Sequence, residues 1–258
     1  MKIYRHGRTV NRSVFEIALW SGLLPRWKEE EMIKCFSDFC DELLKCGFSM
    51  GGGNPKGIYA IIDFGWNAAP SDSPIRWHTG DPETDPWEWR MRILEERRDI
   101  AYGKVFFGAS GYITREWYPL FLAVRRNGMV FDEWYDEGKA SQLEKKLYEA
   151  VSENGHASVP DLKRICNIHR EDASLFDRAL VNLQKNLFIT MCGHARKKNR
   201  SGEEYGWNST VFTTVEDFWE KDLSPDLSPD EAYRKIRGQI LKLNPKAQEK
   251  DIRKFIRA

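Results

Sequence analysis

The stretch from 171 to 192, EDASLFDRALVNLQKNLFITMC, decides which fold the sequence predicts. Apolar residues recur every three to four positions from 171 to 185, which predicts an amphipathic helix with one buried face. They are Leu175, Phe176, Ala179, Leu180 and Leu183. The apolar run from 187 to 192 that follows predicts a strand. A helix therefore leads almost directly into a strand.

The residues on either side of this stretch complete a recognisable order of elements. Upstream, Leu143, Leu147 and Val151 predict a helix that ends near 154–155, and Ser158 begins a short second helix with a capping box. Downstream, the polar loop GHARKKNRSGEE joins the first strand to a second strand over 205–213. Three helices followed by a β-hairpin predict a winged helix-turn-helix, whose third helix enters the major groove of DNA.

The charge distribution of this region favours nucleic acid as its partner. The formal net charge of the 258-residue chain is only +1, but residues 158–200 hold nine Lys and Arg against four Asp and Glu. Residues 193–202 are predicted to form the tip of the wing, where cationic side chains contact phosphates. The predicted wing contacts are His194, Arg196, Lys197, Lys198 and Arg200. On the third helix, Ser174, Arg178 and Lys185 are predicted to approach the groove, although Asp177 shares their face.

The rest of the chain predicts an α+β protein with three parts. Residues 1–135 are expected to form a mixed α+β domain, 136–222 the winged-helix domain and 223–258 a basic helical segment. The N-terminal part contains a predicted helix over 28–46 and a predicted strand over 58–66. Residues 233–258 carry nine Lys and Arg against two Asp and Glu, a surface that either lies along DNA or is solvated.

The motif GDPETDPWEWR, residues 80–90, combines helix-starting residues with two tryptophans. Asp85 is the predicted N-cap, and Glu88 is its predicted capping-box partner. Trp87 and Trp89 project from different sides of the helix, so we predict that both tryptophans are buried in the core.

The same motif contains the residue types that base excision needs, namely carboxylates, aromatic rings and a cation. Asp81, Glu88 and His78 are the candidate catalytic residues. The alternative interpretation is structural, because turn and cap chemistry explains most of the acidic positions. A similar choice applies to four aromatic residues, which form either a base-stacking platform or, as we favour, part of a sheet core. They are Tyr102, Phe106, Phe107 and Tyr112.

Composition and the remaining motifs exclude several classes of protein. No run of eighteen apolar residues predicts a membrane span, and the N-terminus lacks the pattern of a signal peptide. The five cysteines contain no C-x-x-C pair, so reduced thiols and a cytoplasmic location are expected. Cys166 and His169 are spaced like half a zinc site without a second half. We therefore expect neither a metal nor a cofactor.

Four segments resemble the bacterial AlkZ-related family. They are WHTGDPETDPWEWR (77–90), AYGKVFF (101–107), GYITREWYPLF (111–121) and SGEEYGW (201–207). The resemblance extends from about residue 77 to the C-terminus. It implies a winged-helix architecture, an association with DNA and a distant relationship to winged-helix DNA glycosylases that excise alkylated or crosslinked bases.

The resemblance carries no catalytic residue over to this sequence. The glycosylases position the attacking water with a Gln-x-Gln motif, and no two glutamines in this chain are two positions apart. Three hypotheses therefore remain open: a DNA-binding protein connected with repair, a DNA glycosylase with a different active site, and a winged-helix module that binds another protein. The first predicts double-stranded DNA as the partner.

Overall fold

The computed structural model describes residues 32–65, 67–198, 201, 204–220, 223 and 227–257, with backbone only for 197, 198 and 204–207. Helices and strands are interspersed along the chain. The helices are α1 (Phe36–Cys46), α2 (Pro86–Glu96), α3 (Tyr118–Arg126), α4 (Phe131–Asp136), α5 (Gln142–Asn154), α6 (Val159–Ile165), α7 (Ala173–Lys185), α8 (Val215–Trp219), α9 (Pro229–Leu243) and α10 (Glu249–Arg257). The strands are β1 (Phe48–Met50), β2 (Ile100–Phe106), β3 (Ala109–Thr114), β4 (Ala157–Ser158), β5 (Ile189–Lys198) and β6 (Glu204–Thr214).

All six strands form one antiparallel sheet in the order β1-β3-β2-β5-β6-β4. The α+β class predicted from the sequence is confirmed. Strands from both sides of the predicted boundary at 135–136 meet where Tyr102 on β2 faces Met191 on β5. Residues 35–258 form one compact unit, and the division into three parts stays a prediction about folding units.

The strand predicted over 58–66 is wrong for its described residues. Residues 58–62 follow an irregular path with bends and bury Ile58, Ala60 and Ile62, which explains the alternating pattern. They do not form a regular ladder, because their backbone bonds go to scattered partners: Met50 N donates to Tyr59 O at 3.1 Å, and Ile61 N donates to the Ser49 hydroxyl at 3.0 Å. The short strand β1 takes the place beside β3.

The basic C-terminal segment forms part of the hydrophobic core. Ile236 and Ile240 of α9 and Ile252 and Phe255 of α10 are fully buried. The Phe255 ring stacks on Phe106 of β2 with centroids 3.8 Å apart. The apolar faces of this segment thus serve the fold, while its charged side chains line the outer faces of α9 and α10. That these charges lie along DNA or are solvated stays a pair of alternative predictions.

A buried arginine holds the ends of three elements together. Arg125 donates to the carbonyls of Val105, Lys185, Phe255 and Ile256 at 2.7–2.9 Å. Burial lowers the pKa of Arg125 to about 9, so the guanidinium remains protonated at neutral pH. Its charge is compensated by carbonyl oxygens at the C-terminal ends of α7 and α10, where the helix dipole favours a cation.

The helices between 142 and 185 agree with prediction, whereas the hairpin differs. Ser158 accepts a hydrogen bond from Asp161 N at 3.3 Å and starts α6 as expected. The predicted loop over 193–202 is largely strand, since β5 continues to Lys198 and pairs there with Glu204 of β6. The polar side chains of 193–198 led to the prediction of a loop. The strand continues there nevertheless, because the hydrogen bonds of a hairpin are made by backbone groups whatever the side chains are. Leu175, predicted to be buried, is 50% exposed in the first turn of α7.

In the part of the chain that the structure describes, no helix is long and apolar enough to cross a membrane. The five cysteines are free thiols. Burial raises the pKa of the Cys40 thiol to about 11 and that of Cys46 to about 12. These two side chains therefore act as small core residues.

Candidate functional site

A cavity of about 320 Å³ opens beside the 77–90 motif. It lies between the loop that precedes α2, the first turns of α2, and strands β2 and β3. Its aromatic walls are Trp77, His78, Trp87, Tyr102 and Tyr112. The remaining lining residues are Gly51, Gly52, Gly65, Pro86, Arg90 and Ser110. No aspartate or glutamate is among these lining residues.

The loop that carries Trp77 and His78 is held by the buried carboxylate of Asp85. One carboxylate oxygen accepts hydrogen bonds from Thr79 N at 2.7 Å and Gly80 N at 3.0 Å. The other oxygen accepts from Trp87 N at 2.8 Å and so caps α2. Asp85 thereby fixes the loop and the helix to each other, with His78 in a left-handed conformation at φ 60°.

Arg90 and Trp87 form the outer side of the cavity. The Arg90 guanidinium lies 3.3 Å from the Trp87 ring centroid, and its Nε donates to Trp87 O at 2.9 Å. The His78 ring is 4.9 Å from Trp87 on a tilted plane. A cation stacked on an indole keeps its remaining N–H donors directed along the edges of the guanidinium plane.

Trp77 packs closely against the glycine turn at 51–53. A Cβ added at Gly52 would lie 2.3 Å from the Trp77 ring, which explains why glycine is required there. Gly51 N donates to Ser110 O at 2.8 Å and ties the turn to β3. On the strands below, the Tyr102 and Tyr112 rings pair across β2 and β3 with centroids 4.9 Å apart.

The three candidate catalytic residues are not brought together in this cavity. His78 lines it, whereas Asp81 and Glu88 do not. The Asp81 carboxylate accepts from Glu83 N at 2.9 Å and from the Thr84 hydroxyl at 2.8 Å, bonds that lower its pKa. The predicted capping box with Glu88 is wrong, because Asp85 N already donates to Asp81 O at 3.0 Å.

The two tryptophans of the motif have different environments. Trp89 is fully buried as predicted, and its ring packs 5.0 Å from that of Phe39. The prediction that Trp87 is buried in the core is wrong, because its side chain is 42% exposed at the cavity. Trp87 therefore lines the cavity and is not part of the core.

The predicted groove residues occupy one side of α7. Ser174 and Arg178 are exposed one turn apart, and Asp177 is exposed beside them. Lys185 is half-buried in the last turn, where Val181 approaches the β2–β3 turn at Gly108. The N-terminal half of this face is thus open, and the C-terminal half lies against β2.

The predicted wing residues lie along the hairpin. His194 Nδ1 is 3.3 Å from the Glu95 carboxylate of α2 without forming a hydrogen bond to it, so the hairpin and the cavity-bearing helix approach each other closely at this residue. Arg196 is exposed and donates from Nε to Asn208 on β6 at 2.9 Å. Lys197 and Lys198 follow on β5, described by their backbone alone, and Arg200 lies outside the described residues.

Sequence reasoning missed the roles of Gly51, Gly52 and Ser110, and favoured a sheet core over a ligand-facing platform for Tyr102 and Tyr112. The glycine run and the two tyrosines at facing positions of a hairpin were visible in the sequence. Neither feature indicates, however, that a cavity lies between the glycine turn and the tyrosine rings. The described residues contain no group of three or more His, Cys, Asp and Glu side chains that could hold a metal ion.

Fold and site together define an α+β protein that places an aromatic cavity without acidic lining residues beside a long basic hairpin. The chain belongs to the AlkZ-related family, whose profile matches residues 33–257. The match begins well before residue 77, where the sequence resemblance was expected to start.

One solved structure that the chain resembles is the DNA glycosylase AlkZ of Streptomyces sahachiroi. Identity is 11%, the TM-score is 0.37, and the alignment covers 67% of this chain and 50% of that one. This chain therefore matches half the length of that glycosylase. Comparison with curated proteins gave no significant match.

Proposed function

We propose that this protein binds double-stranded DNA through a winged helix and acts in connection with DNA repair. The observation that carries the proposal is the order of elements around the basic hairpin. Helix α5, strand β4, helices α6 and α7 and hairpin β5–β6 follow one another, and β4 pairs with β6. This order matches that of a winged helix and supports the proposal that α7 is the recognition helix.

The electrostatics of the hairpin support phosphate contacts. Arg196, Lys197 and Lys198 are consecutive on β5, and such a cluster attracts the DNA backbone without reading its sequence. Arg178 and Ser174 are exposed on α7, but Asp177 beside them repels phosphates. We therefore expect the hairpin to supply most of the affinity and α7 to contribute positioning.

The connection with repair rests on family membership. The AlkZ-related family takes its name from a protein that, in Streptomyces sahachiroi, is a DNA glycosylase. Proteins that act on damaged bases need a backbone-binding surface in addition to any pocket for the base. A DNA-binding hairpin next to an aromatic cavity is consistent with that requirement.

Neutralising the hairpin tests the proposal. For the triple variant Arg196→Gln, Lys197→Gln, Lys198→Gln we expect the affinity for a fluorescent duplex to fall by at least about tenfold at low salt. The slope of log affinity against log salt should fall by about one for each phosphate contact that is lost. Fluorescence anisotropy over a range of salt concentrations measures both quantities.

The matched control removes the same charge elsewhere. Lys45, Lys56 and Lys104 are exposed and lie outside the predicted winged-helix domain, so their glutamine variants should bind DNA like the unmodified protein. Equal losses in both triple variants would mean that only net charge matters and would contradict a hairpin site. Absence of binding by the unmodified protein at low salt would favour a protein-interaction module instead.

A second candidate function is excision of a damaged base in the cavity. The aromatic lining favours it, since an extruded base is held by stacking between aromatic side chains. Water activation is the weaker point, because the lining holds neither a carboxylate nor an amide side chain.

Base release from a duplex that contains 7-methylguanine tests excision, with chromatography of the freed base as the measurement. Release that is lost in Asp81→Asn or Glu88→Gln, with thermal unfolding unchanged, would support excision by these carboxylates. Release that both variants retain would assign the water to another residue. No release by the unmodified protein would remove this candidate and leave the DNA-binding proposal intact.

A further inference from the structure

The polar groups of the cavity lining include a cation and hydroxyl groups but no acidic side chain. Arg90 contributes a cation, and Ser110, Tyr102 and Tyr112 contribute hydroxyl groups. Burial holds the pKa of Tyr112 well above its ordinary value, so this phenol stays neutral. With no carboxylate in the lining, the cavity offers positive charge and hydrogen-bond donors without a counter-ion. Such a composition is suited to an anionic ligand.

Arg90 differs from its neighbours on α2 in how its charge is compensated. Arg92 forms ion pairs with Glu83 at 2.8 Å and Glu96 at 2.7 Å, and Arg97 pairs with Asp99 at 2.6 Å. Within the described ranges no carboxylate lies within ion-pair distance of Arg90, whose hydrogen bond from Nε goes to the helix backbone at Trp87 O. Its terminal nitrogens retain their capacity for a bidentate partner.

The shape of the cavity favours a flat ligand. Two pairs of side chains bound it. The tilted Tyr102–Tyr112 ring pair lies on the sheet side, and Trp87 with the Arg90 guanidinium over its ring lies on the helix side. A volume of about 320 Å³ accommodates one or two fused rings. Aromatic walls of this kind gain most from offset stacking with another planar ring.

We propose that this cavity is a receptor for a free planar aromatic carboxylate, with the ring against Trp87, Tyr102 and Tyr112 and the carboxylate on Arg90. One guanidinium matches the single charge and two oxygens of a carboxylate. This function is separate from DNA binding by the hairpin. A ligand in the cavity would lie close to the hairpin, because α2 carries Arg90 and also contacts β5 where Glu95 approaches His194.

Titration calorimetry of the full chain with 2-naphthoate and with its neutral isostere 2-naphthamide tests the site. We expect saturable one-to-one binding of naphthoate, at least about tenfold tighter than the amide, because a charge-assisted pair is lost with the amide. Arg90→Gln should bring the affinity for naphthoate down to that for the amide. Arg98→Gln, an exposed arginine just beyond the same helix that does not line the cavity, should leave both affinities unchanged.

A second variant tests the ring-binding part. Trp87→Leu removes a partly exposed ring without opening the core, and it should weaken naphthoate and naphthamide by similar factors. Thermal unfolding of each variant verifies that it is folded, and the comparison of the two ligands on the unmodified protein stands without any variant. Equal affinities for the two ligands, no saturable binding, or an Arg98→Gln loss equal to that of Arg90→Gln would overturn the proposal.

A further experiment distinguishes binding of a free ligand from binding of a nucleotide within DNA. A duplex with one bulged base that binds through Arg90, combined with no binding of naphthoate, would assign the cavity to an extruded base and overturn the proposal. We expect Arg90→Gln to bind ordinary duplex DNA normally. We also expect the hairpin triple variant to bind naphthoate normally. Failure of the cavity proposal and failure of the DNA-binding proposal are therefore distinguishable.

Discussion

Arg125→Met is expected to lower the free energy of unfolding by about 4 kcal/mol, because each buried carbonyl left without a donor costs about 1–3 kcal/mol. Arg125 donates to four such carbonyls, and two of them belong to α10. Methionine fills much of the volume but donates no hydrogen bond. Removal of the desolvated charge offsets part of the loss, so the estimate lies below the sum of four unsatisfied groups.

Urea unfolding followed by circular dichroism measures this change, and Arg115→Met is the matched control. Arg115 is half-buried and makes one long bond, from Nη2 to Trp219 O at 3.4 Å, so its loss should cost less than about 1 kcal/mol. Arg125→Lys keeps the charge without the planar fork and should fall between the two. An Arg125→Met protein as stable as the parent would contradict the assignment of Arg125 as the link between α7, α10 and β2.

Asp85→Ala is expected to cost about 3 kcal/mol of stability and to disorganise the cavity. The substitution removes three hydrogen bonds from backbone N–H groups to a fully buried carboxylate, including the helix cap. Thr79 N and Gly80 N lose their acceptor, so the left-handed conformation of His78 loses the contact that holds it. Trp77 and His78 should then leave their positions in the cavity wall.

Urea unfolding and near-ultraviolet circular dichroism of the tryptophans test both parts of this expectation. Asp81→Ala is the matched control, since the exposed Asp81 carboxylate organises only the turn around it, and a loss below about 1 kcal/mol is expected. Equal losses for the two variants would contradict the special role of Asp85. An unchanged aromatic spectrum in Asp85→Ala would show that other contacts hold the loop.

The local features of the fold were predictable from short stretches of sequence. Helix starts at Ser141, Ser158 and Asp85 follow from side chains that cap nearby backbone groups, and these are interactions between residues a few positions apart. The β2–β3 hairpin was likewise predictable, because its turn and both strands are adjacent in sequence.

The candidate site was predictable only in part. The 77–90 motif attracted attention for its acids and tryptophans, yet the residue that organises it is Asp85, and the acids proposed for catalysis lie outside the cavity. The number of N–H donors that a carboxylate finds depends on how the loop folds back, which the identity of the residue does not specify. The fold also decides whether a carboxylate lies close enough to Arg90 to form an ion pair, and the sequence does not show this.

The sequence by itself determined where most helices begin and end, which hairpins form and that the chain is α+β, because these depend on contacts between near neighbours. Only the tertiary structure decided that Trp89 is buried while Trp87 borders a cavity, and that α9 and α10 complete the core beneath β2. It also decided that β2 pairs with β5, across almost ninety residues of chain. The physical reason is that burial and long-range pairing are set by which surfaces meet, and helical periodicity specifies a face without specifying its partner.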